Sequence, residues 1–381
     1  MDEARSPIEW PSLLDRAIGG VGVHSLYQPI IDLRRCTIAG FEALTRFDIG
    51  PPVGPDVWFE QAHLHGVGEL LEATALRSAL SMRSHLPDNT FMTINVEPES
   101  LSSPVIESLL IDQGSLSGLV IEITEHRPIH DPAHGAWVLQ RLRQLGAMIA
   151  IDDAGSGYAG LQQILALRPH ILKLDRALVE GIDRDEAKAA LAEMLGIFAN
   201  RIDAWLLAEG IETRGEALRC VTLGIPLAQG FFFARPAPPW QVIRADAALE
   251  VMAFSQQTGS PTLHELLVHM PSVYEHDVSR ASQLFADSAV THVVAVTNEG
   301  RPTGIITPSS LMAGELLQTL HANVYTNPSD IAQRLATSAA SDTVMPVIVT
   351  DPQGRYIGTV TIRRLLATLA RERTRRETAG V

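Results

Sequence analysis

The sequence predicts an α/β chain: a (β/α)8 TIM-like barrel followed by a smaller α+β domain built from a tandem repeat. Three observations carry this. Short apolar runs recur with helical segments between them, as buried parallel strands joined by helical crossovers do. Run after run ends on Glu, Asp, Asn or Lys; in a parallel β/α barrel the strand C-termini share one mouth, so groups scattered along the chain would meet there. Past Pro239 the acid-tipped runs stop, and an internal repeat follows.

The elements follow in order. Phe41-Glu42-Ala43-Leu44-Thr45-Arg46 carries Glu42 and Arg46, and Phe91 to Asn95 closes on Asn95. Leu119 to Glu125 carries Glu122 and Glu125; Met148 to Asp153 ends in Asp152-Asp153. Ile171 to Asp175 carries Lys173 and Asp175, and Trp205 to Ala208 leads into Glu209 and Glu212. Between them, Asp131-Pro132 supplies an N-cap and a first-turn proline, with Gly146 past the helix end. Thr213 and Glu216 have capping-box spacing, with Gly224 at the stop. A doubly wound open sheet is the alternative, but groups spread over so many strands suit a closed barrel better.

At 381 residues the chain accommodates a barrel plus a partner domain. The partition expected is 1–256 for the barrel, 257–261 for a linker within Ser255 to Pro261, and 262–381 for the second domain. There, Val293 to Met312 aligns without gaps on Val347 to Leu366, matching Gly300 to Gly354, Arg301 to Arg355, Gly304 to Gly358, Thr307 to Thr361 and Leu311 to Leu365. Each copy reads as strand, glycine turn, strand, helix. A formal charge of −14 argues against a nucleic-acid surface. Two cysteines, Cys36 and Cys220, are too few for a disulfide framework and suit a reducing cytoplasm. No run reaches the roughly 20 apolar residues of a membrane span.

Residues two apart on a strand face the same way, so Glu42 and Arg46 point together, as do Lys173 and Asp175. Converging carboxylates repel one another unless cations separate them, and oxygen-rich Glu/Asp/Asn sets suit Mg²⁺ or Mn²⁺. Two such ions can activate water and stabilise both oxygens of a phosphodiester displacement. Core ion pairing is the plain alternative for any one acid; it leaves unexplained why so many stand at strand ends.

With these residues in place, the chain resembles the EAL family of cyclic di-GMP phosphodiesterases. Glu42-Ala43-Leu44 is the family's name triplet, preceded by Tyr27-Gln28-Pro29-Ile30 and followed by Arg46. Asn95 with Pro98, Glu122-Ile123-Thr124-Glu125, Asp152-Asp153, Lys173-Leu174-Asp175, Ala208 to Thr213 and Gln229-Gly230 come in the family's order over about residues 10 to 240. The resemblance implies hydrolysis of cyclic di-GMP to linear pGpG in bacterial signalling, with two Mg²⁺ or Mn²⁺ ions per site and Ca²⁺ inhibitory. It implies Glu42, Asn95, Glu122 and Asp152 on one metal, and Asp152 with Asp153 on the second. Glu209 would be the general base and Lys173 the lysine near the nucleophile. Gln28, Arg46, Asp175 and Glu212 would contact substrate, while Glu125 and Gln229 would support the loop and the metal shell. A catalytically weak cyclic di-GMP receptor, acting through the C-terminal domain or a partner, is the rival reading.

The C-terminal repeat is similar to a tandem CBS pair, whose ribose-binding acid usually follows the matching threonine by three positions. Here Ser310 and Arg364 stand there, which favours a scaffold or dimerisation role in a homodimer and leaves room for a regulatory ligand or protein. Other departures are Ala154 and Ala159-Gly160 after the Asp-Asp pair. His63, His65, His126 and His130 have no place in the motif set.

Overall fold

The computed structural model describes residues 8–124, 132–152, 164–258, 261–337 and 345–379. These fall into two compact units, residues 1–189 with 207–256 and residues 190–206 with 257–381. Among the described residues no helix is long and apolar enough to cross a membrane.

Eight strands close a barrel in chain order: β1 Val23–Asp32, β2 Thr37–Phe47, β3 Phe91–Val96, β4 Leu119–Thr124, β5 Met148–Asp152, β6 Ile171–Leu174, β7 Trp205–Ala208 and β8 Leu227–Ala228. The middle strands are apolar along most of their length because helices cover one face and the barrel interior the other. Ile94, Ile121, Ile151, Leu172 and Leu207 are all buried.

The expected all-parallel ring needs one correction, because β1 runs antiparallel to both β2 and β8. The cause is local. The link from Asp32 to Thr37 is a tight turn in which the Asp32 carboxylate accepts from the backbone N–H of Arg34 (2.9 Å) and Arg35 (3.0 Å), and Cys36 turns left-handed at φ 52. So short a link joins only antiparallel neighbours; a parallel pair needs a crossover of about a dozen residues. Gln28 therefore stands opposite Glu42 through hairpin register, not because its strand ends there.

The predicted capping box is present. Thr213 Oγ1 accepts from Glu216 N, the Glu216 carboxylate accepts from Thr213 N, and the helix Arg214–Thr222 ends before Gly224 at φ 73. The helix Ala245–Thr258 runs on through Ser255, which is buried, and so occupies the first part of the stretch read as linker.

In the second unit each repeat is longer than the sequence match. A short parallel strand and a helix precede the strand pair: β9 Ser272–Tyr274 and helix Val278–Leu284 before β10 Val293–Val296 and β11 Pro302–Ile306; β12 His321–Asn323 and helix Pro328–Thr337 before β13 Val347–Thr350 and β14 Tyr356–Val360. The two three-stranded sheets also exchange edges. Leu317, ahead of the second copy, bridges to Ile305 in the first; Val268, ahead of the first, bridges to Thr359 in the second. The matched glycines make room for this. A Cβ on Gly304 would lie 2.8 Å from Leu317 O, and one on Gly358 would lie 3.2 Å from Val268 O.

Candidate active site

Lys173, the buried third residue of β6, is the hub. Its Nζ lies 2.5 Å from Glu209 Oε1, 3.5 Å from Asp152 Oδ1 and 3.6 Å from Glu42 Oε1, and it donates to Glu122 Oε1. These carboxylates come from β2, β4, β5 and the residue after β7, so the barrel brings together groups spread over most of the first 209 positions. Backbone pairing sets two further approaches. Glu209 N donates to Leu174 O at 3.1 Å, and Gln229 N to Ala208 O at 2.8 Å.

One ammonium cannot neutralise four carboxylates in a buried space, and protonation shifts record the strain on charge. Burial, the largest influence, pushes Glu209 up to about 8 against the pull of Lys173, while Asp152 and Glu42 push it the same way. Glu122 is driven well above the carboxylate range by burial, with Lys173 opposing and Asp152, Glu42 and Glu209 reinforcing. Burial would also discharge Lys173, but Glu122, Glu209, Glu42 and Asp152 outweigh it and hold the ammonium firmly.

The donors fit a hard divalent cation. Glu42, Glu122 and Glu209 each offer a carboxylate oxygen within 4.8 Å of the others. Glu122 Oε2 and Gln229 Oε1 are buried, and no described group hydrogen-bonds to either. A cation would supply both the missing charge and the missing partners. Around this centre, Gln229 Nε2 donates to Glu42 Oε2 at 2.5 Å and lies 3.5 Å from Gln28 Oε1, while Gln28 Nε2 donates to Ala234 O at 3.1 Å. Asn95 is exposed, with its Nδ2 donating to Glu42 Oε1 at 3.3 Å.

Arg46 and Asn95 line a cavity of about 380 Å³ together with Leu44, Phe59, Glu72 and Glu97. The half-buried Arg46 spends one N–H on Thr45 O at 2.8 Å. Two residues named for substrate hold local structure. Asp175 caps the turn Arg176–Val179 by accepting from Leu178 N at 3.0 Å, and Glu212 pairs with Arg176 at 3.0 Å. Glu125 and Asp153 lie outside the described residues, as do Ala154, Ala159, Gly160, His126 and His130.

Sequence reasoning missed two acids that line the cavity, Glu72 and Glu97, and gave no role to His63, which contacts Glu97. Glu72 sits on the buried face of helix Gly68–Leu80 and accepts from Glu97 N at 2.8 Å; burial pushes it up to about 7. An acid in register with Ala75, Leu76 and Ala79 on an apolar stripe was the available signal. His63 places Nδ1 3.6 Å from Glu97 and Nε2 3.0 Å from Glu99, an imidazole held between two carboxylates with a different nitrogen toward each.

The EAL domain family's model matches residues 13–236. The probable cyclic di-GMP phosphodiesterase PdeB of Escherichia coli strain K12 is 30% identical over 230 residues, 57% of this chain and 43% of PdeB. The cyclic di-GMP phosphodiesterase RocR of Pseudomonas aeruginosa is 29% identical over 245 residues, 60% of this chain and 62% of RocR. The chain thus spans roughly half the length of these two relatives. Among solved structures, the EAL enzyme Bd1971 bound to cAMP and cyclic di-GMP is 28% identical with a TM-score of 0.50, covering 60% of this chain and 67% of that one. The manganese and cyclic di-GMP complex of Klebsiella pneumoniae BlrP1 is 29% identical with a TM-score of 0.51, covering 57% and 56%. The family's model lies over the part of the chain whose strand ends gather at Lys173, and with more than half of its length inside that model the chain belongs to the EAL domain family.

Proposed function

We propose that this chain is a metal-dependent phosphodiesterase that hydrolyses cyclic di-GMP to linear pGpG in bacterial signalling. The observation that carries the reading is the convergence of Glu42, Glu122, Asp152 and Glu209 on the buried Lys173, a set of oxygen donors suited to Mg²⁺ or Mn²⁺. Glu42, Asn95, Glu122 and Asp152 would hold one Mg²⁺ or Mn²⁺ ion, and Asp152 with Asp153 the second. When bound, the ions lower the pKa of water and neutralise charge on the phosphate oxygens. The chain's own groups do the rest. Glu209 takes the proton of the attacking water, Lys173 holds the orientation of Glu209 and offsets charge beside it, and Arg46 grips a phosphate oxygen from the cavity side. Water adds to one phosphorus, the bridging P–O bond opens, and the leaving oxygen gains a proton.

The tandem-repeat unit acts, in this reading, as a degenerate CBS pair with a structural or regulatory role, in a homodimer. The repeated order of strand, helix, two strands and helix supports the likeness. Ser310 is consumed by the capping box of Thr307, with Thr307 N donating to Ser310 Oγ at 3.0 Å. Arg364 donates to Leu267 O at 2.9 Å. Neither is placed to accept from a ribose hydroxyl, and a guanidinium has no acceptor to offer.

The test is direct. Purified protein incubated with cyclic di-GMP and Mn²⁺ or Mg²⁺ should yield pGpG, and chelator should stop it. Tight binding of cyclic di-GMP with no pGpG formed would make the chain a receptor instead.

A further inference from the structure

The unit that holds the repeats also holds residues 190–206, which end two residues into β7. That segment is gripped at one corner. Arg334, on helix Pro328–Thr337, donates from Nη1 to Asn200 O at 2.9 Å and from Nη2 to His321 O at 3.0 Å. One planar guanidinium thus ties the end of helix Glu186–Arg201 to strand β12. Arg201 donates to Gln333 Oε1 at 3.1 Å, and Asn200 Nδ2 lies 3.5 Å from Asp330 Oδ2.

The turn that follows carries two features of note. Asp203 is a non-glycine residue at φ 62, a conformation that costs an L-residue energy and is kept where the surroundings impose it. Its Oδ1 is also fully buried. Burial raises its pKa while Arg334 and His321 pull the other way, so the carboxyl faces the same guanidinium that binds the helix end. Two residues later Trp205, itself buried, meets Tyr325 edge to face at 5.7 Å. The left-handed turn serves the helix stop itself, with Ala204 N donating to Ala199 O at 2.9 Å; the buried carboxyl facing Arg334 and the Trp205–Tyr325 contact are additional to it.

β7 has only four residues, and Glu209 follows it directly. Leu206, Leu207 and Ala208 are buried on every side, and close-packed strands move as units rather than bending. A displacement at Trp205 therefore has few places to go before it reaches Glu209, about 13 Å along an extended chain. We infer that the corner joining Asp203 and Trp205 to Arg334 and Tyr325 sets the position of Glu209, making Arg334 and Tyr325 positioning residues through which the tandem-repeat unit governs turnover. This rests on the reading of Glu209 as the base in the proposed hydrolysis.

The test uses the full chain in three variants. Arg334→Ala removes the guanidinium and Tyr325→Leu removes the ring contact. Val293→Ala, cutting into the core of the first repeat, loosens the same unit away from the corner. Two quantities are read: kcat and KM for cyclic di-GMP, and hydrogen exchange of the amides of residues 206–209. Arg334→Ala should lower kcat roughly tenfold to a hundredfold, as expected for a displaced catalytic group, with KM changed less than about twofold. Its 206–209 amides should exchange faster. Tyr325→Leu should move both readouts the same way and carries the test if Arg334→Ala fails to fold. Val293→Ala should leave both at wild type. Unchanged exchange at 206–209 in a folded corner variant, faster exchange with unchanged kcat, or an equal loss of kcat in Val293→Ala would each overturn the inference. A wild-type chain without hydrolysis would sink the phosphodiesterase reading instead, and exchange alone would then decide whether the corner reaches Glu209.

Discussion

Lys173 Nζ stands 2.5 Å from Glu209 Oε1, so the proposed base and the one buried ammonium of the site form a contact pair. The lysine favours the ionised form of Glu209, against burial and the neighbouring acids that push it up to about 8. Burial and the neighbouring acids outweigh the lysine, which leaves a carboxylate that takes up a proton near neutral pH.

Glu209→Gln keeps the shape of that contact and removes the base. Turnover at saturating cyclic di-GMP should fall by roughly 10²- to 10⁴-fold, while substrate affinity survives. Release of pGpG followed by chromatography, alongside equilibrium binding, separates the two. Normal kcat with lost binding would show that Glu209 has another role.

Glu42→Ala should weaken Mn²⁺ binding and cut activity by orders of magnitude, since Asn95 and Gln229 lose their shared partner along with the ligand. Ca²⁺ should inhibit when added to the Mn²⁺ form, because its longer, more flexible coordination does not enforce octahedral geometry. Full turnover with Ca²⁺ as the only divalent ion would count against a two-ion displacement.

Stability should carry a pH signature from Glu72, which is outside the proposed metal set. Its pKa of about 7 in the folded chain exceeds the 4.5 of an ordinary glutamate, so the folded state holds the proton more tightly. The associated stability is complete below the unfolded pKa and is lost as pH rises through 7. The loss is on the order of 2–3 kcal/mol. Urea unfolding at pH 5 and pH 8 should show Glu72→Gln losing less stability than wild type over that interval by about this amount; equal losses would refute it.

Gly230 and Gly224 offer a matched pair. A Cβ on Gly230 would lie 2.0 Å from Ile211 O, inside the backbone pairing that seats Gln229, whereas one on Gly224 meets nothing within 4 Å. Gly230→Ala should cost about 3 kcal/mol or more and disable the site. Gly224→Ala should cost only about 1–2 kcal/mol, for its left-handed φ. Thermal melting of both variants reads the contrast, and similar losses would contradict it.

The convergence of Glu42, Glu122, Asp152, Lys173 and Glu209 was legible because each stands within or directly after an apolar run that reads as a strand. The direction of β1 was not. It depends on a turn at Asp32–Cys36 with no Asn-Gly or Gly-Gly signal, where a carboxylate bound to two backbone amides does the turning. The leading strand and helix of each repeat were hidden for another reason. Ser272-Val273-Tyr274 and His321-Ala322-Asn323 occupy the same place in the two sheets but share no residue, since a three-residue parallel edge is specified by backbone pairing. Glu72 was passed over because a lone acid on a helix is ordinary until its neighbours are known to be buried.

The exchanged edges at Leu317–Ile305 and Val268–Thr359 reach beyond stability. Each copy completes its sheet with a segment lying ahead of the other, so neither half closes its own hydrogen bonding. Two free polypeptides, each bearing one such half, could make the same trade across a twofold axis. Within one chain the two halves need not be identical: Ser310 and Arg364 sit at equivalent places with different chemistry, and the second half alone bonds its helix Pro328–Thr337 to Asn200 among the described residues.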